Sequence, residues 1–102
     1  MKSLSILIPI YNEEESLQAL FDELKFSFEN NQSIEIIFIN DGSSDMSQKV
    51  IENEIANHST WKLINLYRNY GKSVALQSGI DIASNELIAV SYTHLRAHET
   101  QF

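Results

Sequence analysis

Short unbroken apolar runs that stop at a polar turn set the plan of this chain. Ser5 to Asn12 reads SILIPIYN and is followed at once by Glu13, Glu14 and Glu15. A run that is apolar without alternation is the pattern of a parallel strand buried on both faces. The plan returns at Ile34 to Asn40 (IEIIFIN), which ends in Asp41-Gly42-Ser43-Ser44-Asp45. It returns again at Trp61 to Tyr67 (WKLINLY), which ends in Arg68-Asn69-Tyr70-Gly71-Lys72, while Glu86 to Val90 (ELIAV) reads as a fourth strand.

Between the strands the spacing becomes helical. Leu17, Leu20, Phe21, Leu24 and Phe28 recur at the intervals of one helix face, which predicts a helix from Glu13 to Glu29. Asn12 suits its N-cap and Glu15 stands three residues on, a capping-box arrangement, so the glutamates also fit helix-start electrostatics. Asn30 to Ser33 is a polar linker. Asp45 is expected to cap a second helix reaching Asn57, with Gln48 three residues later and Val50, Ile51 and Ile55 facing inward. Gly71 opens a third helix to Ser84, in which Gly71, Ala75, Ser78, Gly79 and Ile82 form a small-residue face able to sit close to a sheet. The order β-α-β-α-β-α-β implies right-handed crossovers and an α/β, Rossmann-like, doubly wound parallel sheet with strand order 3-2-1-4.

With 102 residues, the chain makes at most one small domain. Its net charge of −7, with only 7 Lys and Arg spread along the chain, argues against nucleic acid as a partner. The absence of cysteine excludes disulfides and thiolate metal sites and suits a reducing compartment, so a cytoplasmic location is expected. The apolar run after Lys2 is too short for a membrane span, and it meets Pro9 and three glutamates where a signal peptide needs a cleavage site. Neither an export signal nor an anchor is expected.

Ligands of open parallel sheets sit beyond the carboxyl ends of the strands. There the first loop offers Pro9, Tyr11, Asn12 and Glu13, and the second offers Asp41, Gly42, Ser43 and Asp45. An aromatic ring stacks on a base, and a carboxylate accepts a base N–H. Arg68 and Lys72 on the third loop are the cations a pyrophosphate requires. Taken singly, each residue also fits an ordinary structural role, such as a tight turn at Asp41-Gly42, a helix cap at Asp45 or a strand stop at Pro9. Three polar loops converging on one edge suggest a nucleotide site. G-x-G-x-x-G, Walker, nucleophile-elbow and zinc-protease patterns are absent from the sequence. Two other readings stay open here: a receiver-like signalling module, which would require an aspartate where Tyr67 and Arg68 stand, and a nucleotide-binding module serving a partner chain without metal.

SILIPIYNEEESL, EIIFINDGSSD and LYRNYGKSVALQSGIDIA resemble, in order and spacing, the amino-terminal half of the family 2 glycosyltransferases of the GT-A fold. Residues 3 to 90 carry the likeness, which is strongest to the polyprenyl-phosphate branch. The resemblance implies inverting transfer of a sugar from a UDP- or GDP-sugar to a lipid phosphate at the cytoplasmic membrane face. It also implies that Pro9, Tyr11, Asn12 and Glu13 form the first nucleotide block. Asp41, beside Gly42 and Ser43, then contacts the base, Asn40 standing where many relatives have another aspartate. Arg68, Asn69, Gly71 and Lys72 match the block near the donor phosphates.

After its fourth strand the family places a D-x-D-type motif that holds Mg²⁺ or Mn²⁺. Here Val90 is followed by Ser91-Tyr92-Thr93, with no carboxylate before Glu99. Residues 91–102 (SYTHLRAHETQF) show neither strand nor helix patterning, and they resemble a translated adapter or read-through string. His94 and His98, with Glu99, imitate zinc-ligand spacing but lack a further ligand. The expectation is therefore a family part at 1–90, cut after the fourth strand, a foreign tail at 91–102, no metal ligands, no turnover from this chain alone, and an exposed edge at the fourth strand.

Overall fold

The computed structural model of the chain describes residues 3–28, 31–91 and 100–101. Strand β1 spans Leu4–Ile10, α1 Leu17–Phe28, β2 Ile34–Asn40, α2 Ser47–Ile55, β3 Trp61–Asn65, α3 Lys72–Ile82, β4 Leu87–Ser91 and β5 Thr100–Gln101. The sheet order is β3-β2-β1-β4-β5. The first four strands run parallel, with Leu4 opposite Ile34 and Leu87, and Asn40 opposite Asn65. Every residue of β2 is buried, as the unbroken apolar run requires. The expected order 3-2-1-4 is therefore the observed one.

Alternation along the strands divides the core in two. Ile6, Ile8 and Ile10 of β1, with Ile36 and Phe38 of β2, face α1 and α2, where Leu17, Phe21, Leu24 and Ile51 cover them. Phe21, Phe38 and Trp61 close this side as a ring cluster with centroids 5.6 to 6.1 Å apart. Leu7, Ile37 and Ile39 face the other way, against Ala75 of α3. The chain thus changes both face and direction after β3, which creates a crevice at the carboxyl end of β1, beside β4.

Gly79 lets α3 sit this close. A Cβ there would stand 3.0 Å from Ile39 Cδ1 and 3.1 Å from Leu7 Cδ2. Gly79→Val is expected to lower stability by about 1–3 kcal/mol through overpacking, read as a fall in the denaturant midpoint. Gly79→Ala should cost less, because helix propensity returns about 1 kcal/mol.

Several boundaries differ from the expectation. α1 begins at Leu17 rather than Glu13, and residues 14–16 form a turn closed by the Ser16 amide on the Glu13 carbonyl at 3.0 Å. The Asn12–Glu15 capping box does not form, because Asn12 has φ 50° and turns its side chain to the second loop. α2 stops at Ile55, short of Asn57, and Asp45 stands two residues before its start with Oδ1 accepting from the Ser47 amide at 2.8 Å. α3 stops at Ile82, short of Ser84, whose amide instead donates to Glu35. Contrary to the patternless tail expected, β5 pairs antiparallel with Val90 and Ser91, so the far end of β4 is not an open edge. His94, His98 and Glu99 lie outside the described residues, as does Glu29. No helix among the described residues is long and apolar enough to cross a membrane.

One buried ionic group was not anticipated. Glu35, the second residue of β2, accepts from Ser5 Oγ at 2.7 Å, from the Ser84 amide at 2.9 Å and from Ser84 Oγ at 3.1 Å, and it pairs with Lys62. Asn85 Nδ2 donates to Ser5 Oγ at 3.2 Å, so the cluster ties the α3–β4 connection to the amino-terminal ends of the strands. Burial raises the Glu35 carboxyl, but Lys62, Ser84 and Ser5 together outweigh it and lower the pKa to about 2.

Candidate functional site

Three loops meet at the opposite, carboxyl edge. Asn12 is the hinge between the first two. Its amide donates to Ser43 Oγ at 2.9 Å, and its Oδ1 accepts from the Ser44 amide at 2.7 Å and the Asp45 amide at 3.2 Å. Asparagine tolerates the left-handed backbone that this geometry needs, and its short amide reaches both donors. The Glu13 amide donates to Ser47 Oγ at 3.0 Å and the Glu14 amide to Asp45 Oδ2 at 3.2 Å, while Glu14 Oε1 accepts from the Met46 amide at 3.1 Å. Two of the three glutamates thus contact the start of α2 rather than opening α1. Burial raises the Asp45 carboxyl, but bonds from Ser47 and Glu14 lower it on balance.

The second and third loops are joined as tightly. Asp41 is 5% exposed. Its Oδ1 accepts from the Tyr70 amide at 2.9 Å, and its Oδ2 accepts from the Gly71 amide at 3.0 Å and from Asn69 Nδ2 at 3.1 Å. Gly42 has φ 73°, and a Cβ there would lie 2.3 Å from the Arg68 carbonyl carbon and 2.4 Å from the Asn69 nitrogen. Gly71, at φ 98°, has open space instead, so its requirement is conformational rather than steric.

Most residues expected at the site come together here, with one difference of position. Pro9 is buried inside β1 opposite Ile39, not in the loop. Tyr11 (48% exposed) and Tyr70 (47%) leave ring surface open. The Arg68 guanidinium lies 5.9 Å from the Tyr70 ring centroid, and Lys72 is the exposed first residue of α3. A cavity of about 580 Å³ is lined by Asn12, Glu13, Glu14, Glu15, Ser16 and Asp45. Its carboxylates repel anions, whereas the third loop carries the cations Arg68 and Lys72.

The contacts of Asn40 and Asn65 escaped the sequence reading. Asn40 Nδ2 donates to Asn65 Oδ1 at 3.0 Å, and Asn40 Oδ1 accepts from the Ser43 amide at 3.1 Å, which shapes the second loop from beneath. The repeated Ile-Asn at the ends of β2 and β3 was the available signal. Among the described residues no three or more His, Asp or Glu side chains are grouped to hold a metal ion, and the segment just after β4 falls outside them.

Comparison with known proteins gives a consistent picture. Residues 5–96 match the family described as glycosyl transferase family 2. An undecaprenyl-phosphate 4-deoxy-4-formamido-L-arabinose transferase of Yersinia pestis is 40% identical over 92 residues, which are 86% of this chain and 28% of that protein. A Pyrobaculum calidifontis mannosyltransferase solved with GDP-Man and Mn²⁺ superposes with TM-score 0.81 at 17% identity, over 88% of this chain and 27% of that one. TarS from S. aureus, solved with UDP, superposes with TM-score 0.79 at 22% identity, over 91% of this chain and 27% of that one. At those identities the structural likeness shows the fold. The chain spans about 28% of the length of the Yersinia relative.

Proposed function

This chain belongs to glycosyl transferase family 2, and we propose that its three-loop edge is the donor-nucleotide portion of a sugar-transfer site. The observation that carries the reading is the joining of the loops after β1, β2 and β3 into one hydrogen-bonded frame at the topological switch, with Arg68 and Lys72 on the third. In this reading Tyr11 stacks on the base, Asn12 and Glu13 shape its pocket, and Asp41 accepts a base N–H. Arg68 and Lys72 offset the charge of the diphosphate, with Asn69 and Gly71 forming the turn that carries them. The receiver-like alternative falls with the family assignment.

The donor is a UDP- or GDP-sugar and the acceptor a polyprenyl phosphate, on the analogy of the named relatives. A lipid phosphate is anionic at neutral pH, so its oxygen attacks the anomeric carbon without a general base while the bond to the departing diphosphate breaks. What such a site must supply is alignment and stabilisation of the leaving diphosphate. A divalent ion would share that task in a whole family member, but the residues described do not assemble its ligands. We assign residues 1–90 to nucleotide binding and, because Ser91-Tyr92-Thr93 stand where the family places its acidic motif, residues 91–102 to a foreign tail. Reading source DNA across the Val90 codon tests that division, and a frame that natively encodes Ser91 to Phe102 would refute it.

Calorimetry of the chain with UDP and GDP tests the nucleotide reading. Lys72→Ala should weaken binding about tenfold, the order of one charge-assisted contact. Undiminished affinity in that variant would remove Lys72 from the diphosphate grip.

A further inference from the structure

Asp41 does more than face a base. We infer that its carboxylate is the positioning group of the third loop, and that it couples recognition of the base to the grip on the diphosphate. The inference rests on the nucleotide reading above and assigns Asp41 a second role within it.

Three donors from the third loop converge on this one side chain, which offers about four acceptor positions in all. They are the Tyr70 amide at 2.9 Å, the Gly71 amide at 3.0 Å and Asn69 Nδ2 at 3.1 Å, and Asn69 Nδ2 also reaches the Asp41 carbonyl at 3.1 Å. The carboxylate therefore holds the segment that runs from Arg68 to Lys72. Gly42, directly after Asp41, admits the Arg68–Asn69 backbone where any Cβ would collide with it. The Asp41 amide is itself fixed on the Ile10 carbonyl at 2.8 Å, so the anchor is tied to β1. A base N–H that takes the remaining acceptor capacity thereby binds the same carboxylate that sets the position of both cations. Contact at the base end and geometry at the phosphate end share one group, which is a physical basis for coupling.

The experiment is NMR on the full chain, following amide exchange without ligand and titrations with inorganic pyrophosphate and with UDP. Asp41→Asn keeps the shape but leaves one acceptor oxygen in place of two. It should lower protection of the Tyr70 and Gly71 amides about tenfold, the loss expected for a hydrogen bond to a charged group. It should also weaken pyrophosphate at least about fivefold, although pyrophosphate carries no base. Asn69→Ala, which leaves the carboxylate available to a base, should weaken pyrophosphate in the same direction by a smaller factor. A protein in which Asp41→Asn weakens UDP but leaves pyrophosphate affinity and both amides as in the parent would overturn the coupling. If Asp41→Asn does not fold, unchanged pyrophosphate binding in Asn69→Ala overturns it equally. A parent chain that takes neither UDP nor GDP instead removes the nucleotide reading and this inference with it, an outcome distinct from the first two because there the parent binds.

Discussion

Gly42→Ala is expected to abolish nucleotide binding and to destabilise the chain by about 2–4 kcal/mol, combining left-handed backbone strain with overpacking. The methyl carbon would stand 2.3 Å from the Arg68 carbonyl carbon, 2.4 Å from the Asn69 nitrogen and 2.8 Å from Arg68 Cα. All three are backbone atoms, so no rotamer change relieves the clash. The third loop must then move as a unit away from the second, which stretches the Asp41 bonds to Tyr70 and Gly71 and carries Arg68 and Lys72 with it. Gly71→Ala provides the contrast. Its φ of 98° imposes conformational strain, but nothing lies within 4 Å of the added methyl. That variant should lose about 1–2 kcal/mol through strain alone. Denaturant midpoints and a UDP titration of the two variants separate the effects. Equal behaviour of both would show that close packing of the loops is not what Gly42 supplies.

The second large effect lies at the other end of the sheet and depends on pH. Glu35 titrates near 2 in the folded chain against an ordinary value of 4.5, which corresponds to about 3 kcal/mol of stability. Because the folded value is the lower one, this stability is fully present above about pH 4.5 and is lost as pH falls toward 2. Glu35→Gln should remove most of that acid sensitivity and lower stability at pH 7 by about 2–3 kcal/mol, measured by denaturant unfolding across pH. The loss stays below that of a fully buried pair because the Lys62 side chain is 45% exposed and can return to water. Lys62→Met, which leaves the buried Glu35 carboxylate without its cation, should cost at least as much as Glu35→Gln. Parallel pH–stability curves for parent and Glu35→Gln would contradict the assignment.

Both effects arise from contacts that join residues far apart in the chain, and this is where sequence reading stopped. Asp41, Gly42, Arg68 and Lys72 were legible as residues gathered at the carboxyl edge because turn-forming and charged types stood at strand ends. That Gly42 serves the approach of a loop 26 residues further on was not, since a glycine after an aspartate also fits any tight turn. Asn12 was read as a helix cap from its local pattern. In the fold, the Ser44 and Asp45 amides come within reach of its side chain, and binding them replaces the capping box. Glu35 stood unremarked within an apolar run. Only the parallel pairing that sets β2 between β1 and β3, and brings the α3–β4 turn beside them, places Ser5, Lys62 and Ser84 around it.

The alternation of strands and helices, the parallel order 3-2-1-4 and the edge at which polar loops gather are all encoded along the chain. Those follow from apolar periodicity within each segment and from the right-handedness of the crossovers, which are local or chiral constraints written along the chain. The tertiary structure alone decided which amide each loop carboxylate binds, where Gly42 meets Arg68 and why Glu35 stays charged while buried. Hydrogen-bond partners are selected by distances of about 3 Å across separate strands, and only a fixed register between the strands sets distances of that kind.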